Sequence, residues 1–257
     1  MPAVTADELP RGALTGKIGV VVGGASGIGR MVARALAKQG ARVVVADFDA
    51  ARMERTVEEL LRLGSADAVL ALPTDVRSES SVRSLVGDAI KAMGQVDILI
   101  NMAGVLLEGP LDRIKTSDWK WMLQTNLLGA VRTTTALMPH MKERRAGHIV
   151  NAVSADGPAP HDPLTVAYDA GHAALAAFTR SLAAELDGTG VNVSLYCTGS
   201  RGPRIGQNTR SRGVSRLLHR GEGDDVEEQS RPTDQQVDSL IDALHHPRFL
   251  VLAEPRR

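Results

Sequence analysis

A tyrosine and a histidine stand four residues apart in VAYDAGHAALAAF, residues 166–178. The stretch reads as the start of a helix, where Tyr168 and His172 would share one face, one turn apart. A phenol with a free pKa of about 10 donates a proton readily, and it acts as a base only where a nearby cation stabilises its anion. Upstream, VVVGGASGIGR joins a β-branched run to a helix-period segment. Gly23, Gly27 and Gly29 allow a tight turn and the close approach of a pyrophosphate to the N–H groups at the helix start, with Ala25, Ser26 and Ile28 between them. Asp47 ends the next apolar run, followed by Phe48. A carboxylate there can accept both hydroxyls of an adenosine ribose and would repel a 2′-phosphate, which favours NAD over NADP.

Such groups need a rigid frame, and the chain supplies an alternating one. KIGVVVGG, ARVVVAD, DAVLALP, QVDILIN, GHIVNAV, VNVSLYC and RFLVLAE read as seven strands. Helical segments separate them, including one long helix over about 117–145. Continuously apolar strands alternating with helices predict an α/β fold with a parallel sheet covered on both faces. No linker divides the chain. We read residues 1–14 as an N-terminal arm and 15–257 as one domain, with a lid insertion at about 200–231, rich in Arg, Gly and Ser. The lid arginines 201, 204, 210, 212 and 216 read as a solvated loop balanced by Glu222, Asp224, Asp225, Glu227 and Glu228; the other reading is an anionic-substrate site.

The composition excludes several classes. Formal net charge is zero and aromatics make up 3% of the 257 residues, which argues against nucleic acid as a partner. The opening MPAVTADELPRGALTGK has no apolar run, and no segment reads as a membrane span. The single cysteine, Cys197, lies in an apolar strand, reads as core and fits a reducing, cytoplasmic setting. No His, Cys, Asp and Glu cluster has metal-ligand spacing, so no catalytic metal is expected. His140 and His148 read as structural. His161 and Asp162 precede Tyr168, where a substrate could touch them. Trp119 and Trp121, two apart on the long helix, would point in different directions.

Four motifs in order, GGASGIG at 23–29, NMAG at 101–104, SADG at 154–157 and the Tyr168 helix, resemble the short-chain dehydrogenase/reductase superfamily of the compact single-domain kind. The resemblance implies a doubly wound Rossmann-like sheet of strand order 3-2-1-4-5-6-7, a nicotinamide cofactor and a homotetramer or homodimer. It implies that Asp75 and Val76 hold adenine. Asn101, Ala103 and Gly104 would support the central sheet and line the nucleotide. Asn126 would kink the long helix and hold a water of a proton relay. Ser154 would bond the oxygen of a small-molecule alcohol or carbonyl substrate, and Tyr168 would be the acid/base.

The sequence departs from that family at two places. His172 stands where the family has a lysine that stabilises tyrosinate and holds the nicotinamide ribose. Thr198-Gly199 replaces the usual Pro-Gly after the sixth strand. Three readings follow: an NAD-dependent alcohol/ketone oxidoreductase, a nucleotide-binding protein with little redox activity, and a non-redox lyase or isomerase using Tyr168 and Ser154.

Overall fold

Val20, Val22, Val44 and Ala46 point to one face of a central sheet; Val21, Val43 and Val45 point to the other, and all are buried. Such runs are stable only when helices cover both faces. In the computed structural model, which describes residues 12–63, 68–154, 163–198, 209–213 and 234–253, they do. The first half runs β1 (Ile18–Val22), α1 (Gly27–Lys38), β2 (Arg42–Asp47), α2 (Ala50–Leu61), β3 (Val69–Pro73), α3 (Glu79–Met93) and β4 (Ile98–Asn101). The second runs β5 (Leu106–Glu108), α4 (Thr116–Asn126), α5 (Leu128–Arg144), β6 (Gly147–Val153), α6 (Val166–Glu185), β7 (Val191–Cys197), β8 (Thr209–Ser211), α7 (Asp234–His245) and β9 (Leu250–Leu252).

Seven strands form one parallel sheet in the order β3-β2-β1-β4-β6-β7-β9. Counted within that sheet, the order is the expected 3-2-1-4-5-6-7, and the fold is the Rossmann-like α/β domain. The chain reverses direction across the sheet between β1 and β4, the crevice where such sheets bind ligands.

Two features differ from the sequence reading. The long helical segment is two helices, α4 and α5, which meet at Leu127. The insertion expected to be irregular contains a strand: β8 pairs in parallel with β5 in a separate two-stranded sheet. At three residues each, these strands carry no period to read.

Buried polar networks lock the frame. Asp97, just before β4, accepts from the Ile18 N–H at 2.9 Å and from Arg144 Nη2 at 2.8 Å, which ties β1 to the end of α5. Farther along β4, Asn101 donates to Asn151 Oδ1 at 2.8 Å and accepts from Thr133 Oγ1 at 2.7 Å. Asn151 in turn donates to Thr179 Oγ1 at 3.0 Å. This chain joins β4, β6, α5 and α6, so it fixes the helix that carries Tyr168 against the central strands.

Candidate active site

A cleft opens over the carboxyl ends of β1, β2, β4 and β6. Gly23, Ser26, Gly27, Ile28, Gly29, Asp47, Phe48, Asp75 and Val76 line one end. Asn101, Ala103 and Gly104 line its middle, and Asn126, Ser154, Tyr168 and His172 the other end. Of the described residues read from the sequence as catalytic or cofactor-binding, Ala25 alone does not line it: it is buried, with its N–H on Asp47 Oδ2 at 3.1 Å.

The glycine turn is shaped by backbone contact. Gly23 has φ +80°, and a Cβ there would lie 2.7 Å from the Ala103 nitrogen. Gly27 has φ +51°, and a Cβ there would meet only open space. Ser26 begins α1 without a side-chain cap, and no acidic residue sits in the first turn. The N–H groups at that helix start are thus left to an anion in the cleft, where the helix dipole favours it. Asp47 is buried, and its other oxygen, Oδ1, accepts from the Asp49 N–H at 3.2 Å. These two bonds leave acceptor capacity for hydroxyl groups. Phe48 beside it is 65% exposed. Arg77 grips Asp75 through two nitrogens at 2.8–2.9 Å, and its hydrogen bonds hold the Asp75 carboxyl below the usual range.

At the other end, Tyr168 is buried and its ring meets that of His172 edge-on, with centroids 4.3 Å apart. The Ser154 N–H donates to His172 Nδ1 at 3.3 Å. His172 Nε2 is buried and has no hydrogen-bond partner among the described residues. Burial pushes the His172 pKa down to about 4. Asn126 accepts from the Val105 N–H and donates to the Val105 carbonyl, both at 2.9 Å. Its amide thus pins the segment that leads from β4 to β5.

Sequence reasoning put one of the two tryptophans in the core and the other at a subunit interface or pocket rim, and missed what surrounds it. Trp121 and Thr125 on α4 line the cleft. The Arg210 guanidinium of β8 lies 4.0 Å from the Trp121 ring centroid. Arg212 grips Asp118 of α4 with two nitrogens, at 2.9 and 2.5 Å, and Arg210 approaches the same carboxylate at 3.7 Å. Asp118 is 1% exposed, and the Arg212 hydrogen bonds bring its pKa down to about 2. Among the described residues, both arginines thus address the Asp118 carboxylate of α4. Arg201, Arg204 and Arg216 lie outside the described residues, as do Gly199, His161, Asp162 and the acids at 222–228. Trp119 and Trp121 both pack on the cluster of Val105, Leu107, Met122 and Ala167. His140 accepts from the Val96 N–H at 3.3 Å, and His148 meets Ser194 Oγ on β7 at 2.8 Å. Among the described residues no group of three His, Cys, Asp or Glu could hold a metal, and no helix is long and apolar enough to cross a membrane.

Known proteins agree with this geometry. The family described as short chain dehydrogenase matches residues 17–212. Ketoacyl reductase HetN of Nostoc sp. is 36% identical over 186 residues, which are 72% of this chain and 64% of that protein. An uncharacterized oxidoreductase of Staphylococcus aureus is 35% identical over 72% of this chain and 78% of its own. Among solved structures, a short chain dehydrogenase/reductase from Burkholderia phymatum in complex with NAD superimposes with a TM-score of 0.78 at 27% identity, covering 95% of this chain and 90% of that one. A 3-ketoacyl-(acyl-carrier-protein) reductase from Brucella melitensis complexed with NADH gives 0.67 at 31% identity, over 72% and 76%. With its glycine turn, strand order and tyrosine helix in place, the chain belongs to the short-chain dehydrogenase/reductase family.

Proposed function

We propose that this protein is an NAD(H)-dependent oxidoreductase that interconverts an alcohol and a ketone. The observation that carries this reading is that one cleft joins an anion-ready helix start, an acidic strand end and a buried tyrosine–histidine pair beside Ser154. The residues present fit a dinucleotide. The open space at Gly27 is a cradle that a Cβ would fill, and Asp47 keeps lone pairs for ribose hydroxyls. Asp47 favours NAD over NADP, because a 2′-phosphate would meet a carboxylate. Asp75, Val76 and exposed Phe48 would flank the adenine. Asn101, Ala103 and Gly104 would line the nucleotide's middle.

A bound nicotinamide would supply or accept the hydride. The chain's part is the proton. Ser154 Oγ orients the substrate oxygen, and Tyr168 moves a proton on or off it. Asn126 holds the wall at Val105, and His172 positions. Exposed Ala170, Ala173 and Ala177 form a small-residue stripe on α6 that supports pairing with a second copy, as a homodimer or within a homotetramer.

The test is to titrate NAD and NADP calorimetrically, then follow nicotinamide absorbance with a panel of secondary alcohols and ketones. Micromolar NAD binding with turnover that Tyr168→Phe abolishes supports the proposal. Absence of dinucleotide binding sinks it. Tight binding with no turnover across the panel favours the second reading, a nucleotide-binding protein with little redox activity. One observation speaks for that reading: a histidine with a buried, unpartnered Nε2, its pKa pushed down by burial, stands beside the tyrosine in place of a permanent cation.

A further inference from the structure

His172 sits one helical turn beyond Tyr168, and its two ring nitrogens have unlike surroundings. Nδ1 faces the Ser154 N–H at 3.3 Å. A nitrogen that accepts a hydrogen bond carries no proton, so the ring hydrogen belongs on Nε2. Nε2 is sealed from water and meets no acceptor among the described residues. An imidazolium would turn a second N–H against that of Ser154 and leave its charge beside a sealed, unpartnered Nε2–H. Helix α6 packs against α4, β5, β6 and β7. The titratable groups those elements carry are Asp118 and Lys120, with Lys115 at the cap of α4, Glu108, His148, and Tyr196 and Cys197, with Tyr168, Asp169, Arg180 and Glu185 on α6 itself. None of them contributes to the lowered pKa of His172; burial is its cause.

We propose that His172 is a neutral positioning residue, locked by the Ser154 N–H as the Nε2-protonated tautomer, and that it leaves Tyr168 a phenol throughout neutral pH. The inference rests on the oxidoreductase reading and deepens it by assigning a pH dependence to each direction. In reduction, the carbonyl carbon gains a hydride with its electron pair from the reduced nicotinamide, and the C=O π pair becomes the lone pair that takes the Tyr168 proton. Tyr168 then recovers a proton from water. This needs no prior ionisation, so reduction is flat through neutrality. Oxidation is the reverse and needs tyrosinate first, so its rate climbs about tenfold per pH unit until the phenol ionises.

Two measurements read the protein without turnover. The chain has two tyrosines, Tyr168 and Tyr196, and burial raises the pKa of Tyr196. Ultraviolet titration of tyrosinate, assigned with Tyr168→Phe, therefore separates them. Nitrogen NMR of the ring, assigned with His172→Asn, reports the tautomer. We expect the Nε2-protonated pattern to hold from about pH 5 to pH 8. His172→Lys is expected to ionise Tyr168 at lower pH than the wild type and to raise alcohol oxidation at pH 7 by at least about tenfold. His172→Asn keeps an acceptor for the Ser154 N–H and no charge; it is expected to leave the Tyr168 titration in place.

An imidazolium signal at pH 7 overturns the proposal. So does a wild-type oxidation rate that is level between about pH 6 and 9, or a Tyr168 titration that His172→Lys does not move. Circular dichroism of each variant separates misfolding from these outcomes, and the wild-type tautomer reading decides the matter if His172→Lys does not fold. Failure of the oxidoreductase reading would show instead as no dinucleotide binding, which leaves both spectroscopic tests standing.

Discussion

Gly27 and Gly29 stand two residues apart in the same turn, and the structure assigns them unlike tolerances. A Cβ on Gly29 would lie 2.2 Å from the Gly23 carbonyl oxygen, and backbone cannot swing aside. A Cβ on Gly27 has free space and only the strain of a positive φ. Gly29→Ala should therefore lower Tm strongly and abolish measurable NAD binding with it, while Gly27→Ala should cost only about 1 kcal/mol of stability and weaken NAD through the methyl that fills the cradle. Calorimetry and thermal melts on both variants check the contrast; equal effects would contradict it. Asp47 serves the loop and the ligand together. Asp47→Ala should weaken NAD at least about tenfold and narrow its margin over NADP, because the repelling charge is gone. Parallel titrations with the two dinucleotides measure this. The glycine turn and Asp47 were legible in the sequence because that chemistry is local: a strand, a turn and a helix start within thirty residues. The state of His172 was not, since it depends on an N–H eighteen residues away and on burial. Nor was the pairing of the Asn126 amide with the Val105 backbone, twenty-one residues away.

At the scale of elements, the seven strands of the main sheet declared themselves by their apolar runs, while β5 and β8 did not. Their pairing spans about a hundred residues, as in the Ser211 to Glu108 hydrogen bond, and short sequences carry no trace of such a partner. What holds β8 to the body is chiefly Asp118, a buried carboxylate on α4 that both Arg210 and Arg212 address. Gly109 completes the join, since a Cβ there would strike the Arg212 carbonyl at 2.3 Å. The join flanks Trp121, on the substrate side of the cleft and away from Asp47. Arg212→Ala removes the chief cause of the low Asp118 pKa, so that pKa should rise from about 2. The substrate KM should increase about three- to tenfold while NAD affinity stays within about twofold, and amide exchange at Leu106–Glu108 should quicken. A loss of NAD affinity equal to the loss in KM would place β8 at the wrong end of the cleft.

Across the whole molecule, charge that cannot reach water sets the limits of stability. His148 is buried between β6 and β7; its Nε2 meets Ser194 Oγ, which donates to the Arg248 carbonyl at 2.5 Å and so reaches the segment before β9. Burial holds the pKa values of His148 and His172 at about 4, against an ordinary 6.5. Between those values the unfolded chain binds more protons than the folded one. The contribution of each histidine is therefore complete above about pH 6.5 and drains as pH falls towards 4. For His148 this is on the order of 3 kcal/mol, a large share of the roughly 5–15 kcal/mol that holds a domain together. Asp97 and Asp118 have lowered pKa values and add their losses only below the ordinary carboxylate value of 3.8. At the alkaline side, burial raises the pKa values of Cys197 and Tyr196, so the folded state loses ground as pH climbs past their ordinary values of 9.0 and 10.0. Stability should thus be level from about pH 7 to 9 and should fall from about pH 6.5, well before any carboxylate titrates. Urea unfolding at each half unit of pH measures the slope; His148 and His172 should bring it towards two protons near pH 5, and His140 and His245, whose pKa values burial also lowers, add to it. His148→Gln, even if it lowers stability throughout, should remove one of those protons, and a free energy that stays level down to pH 4 would contradict the account.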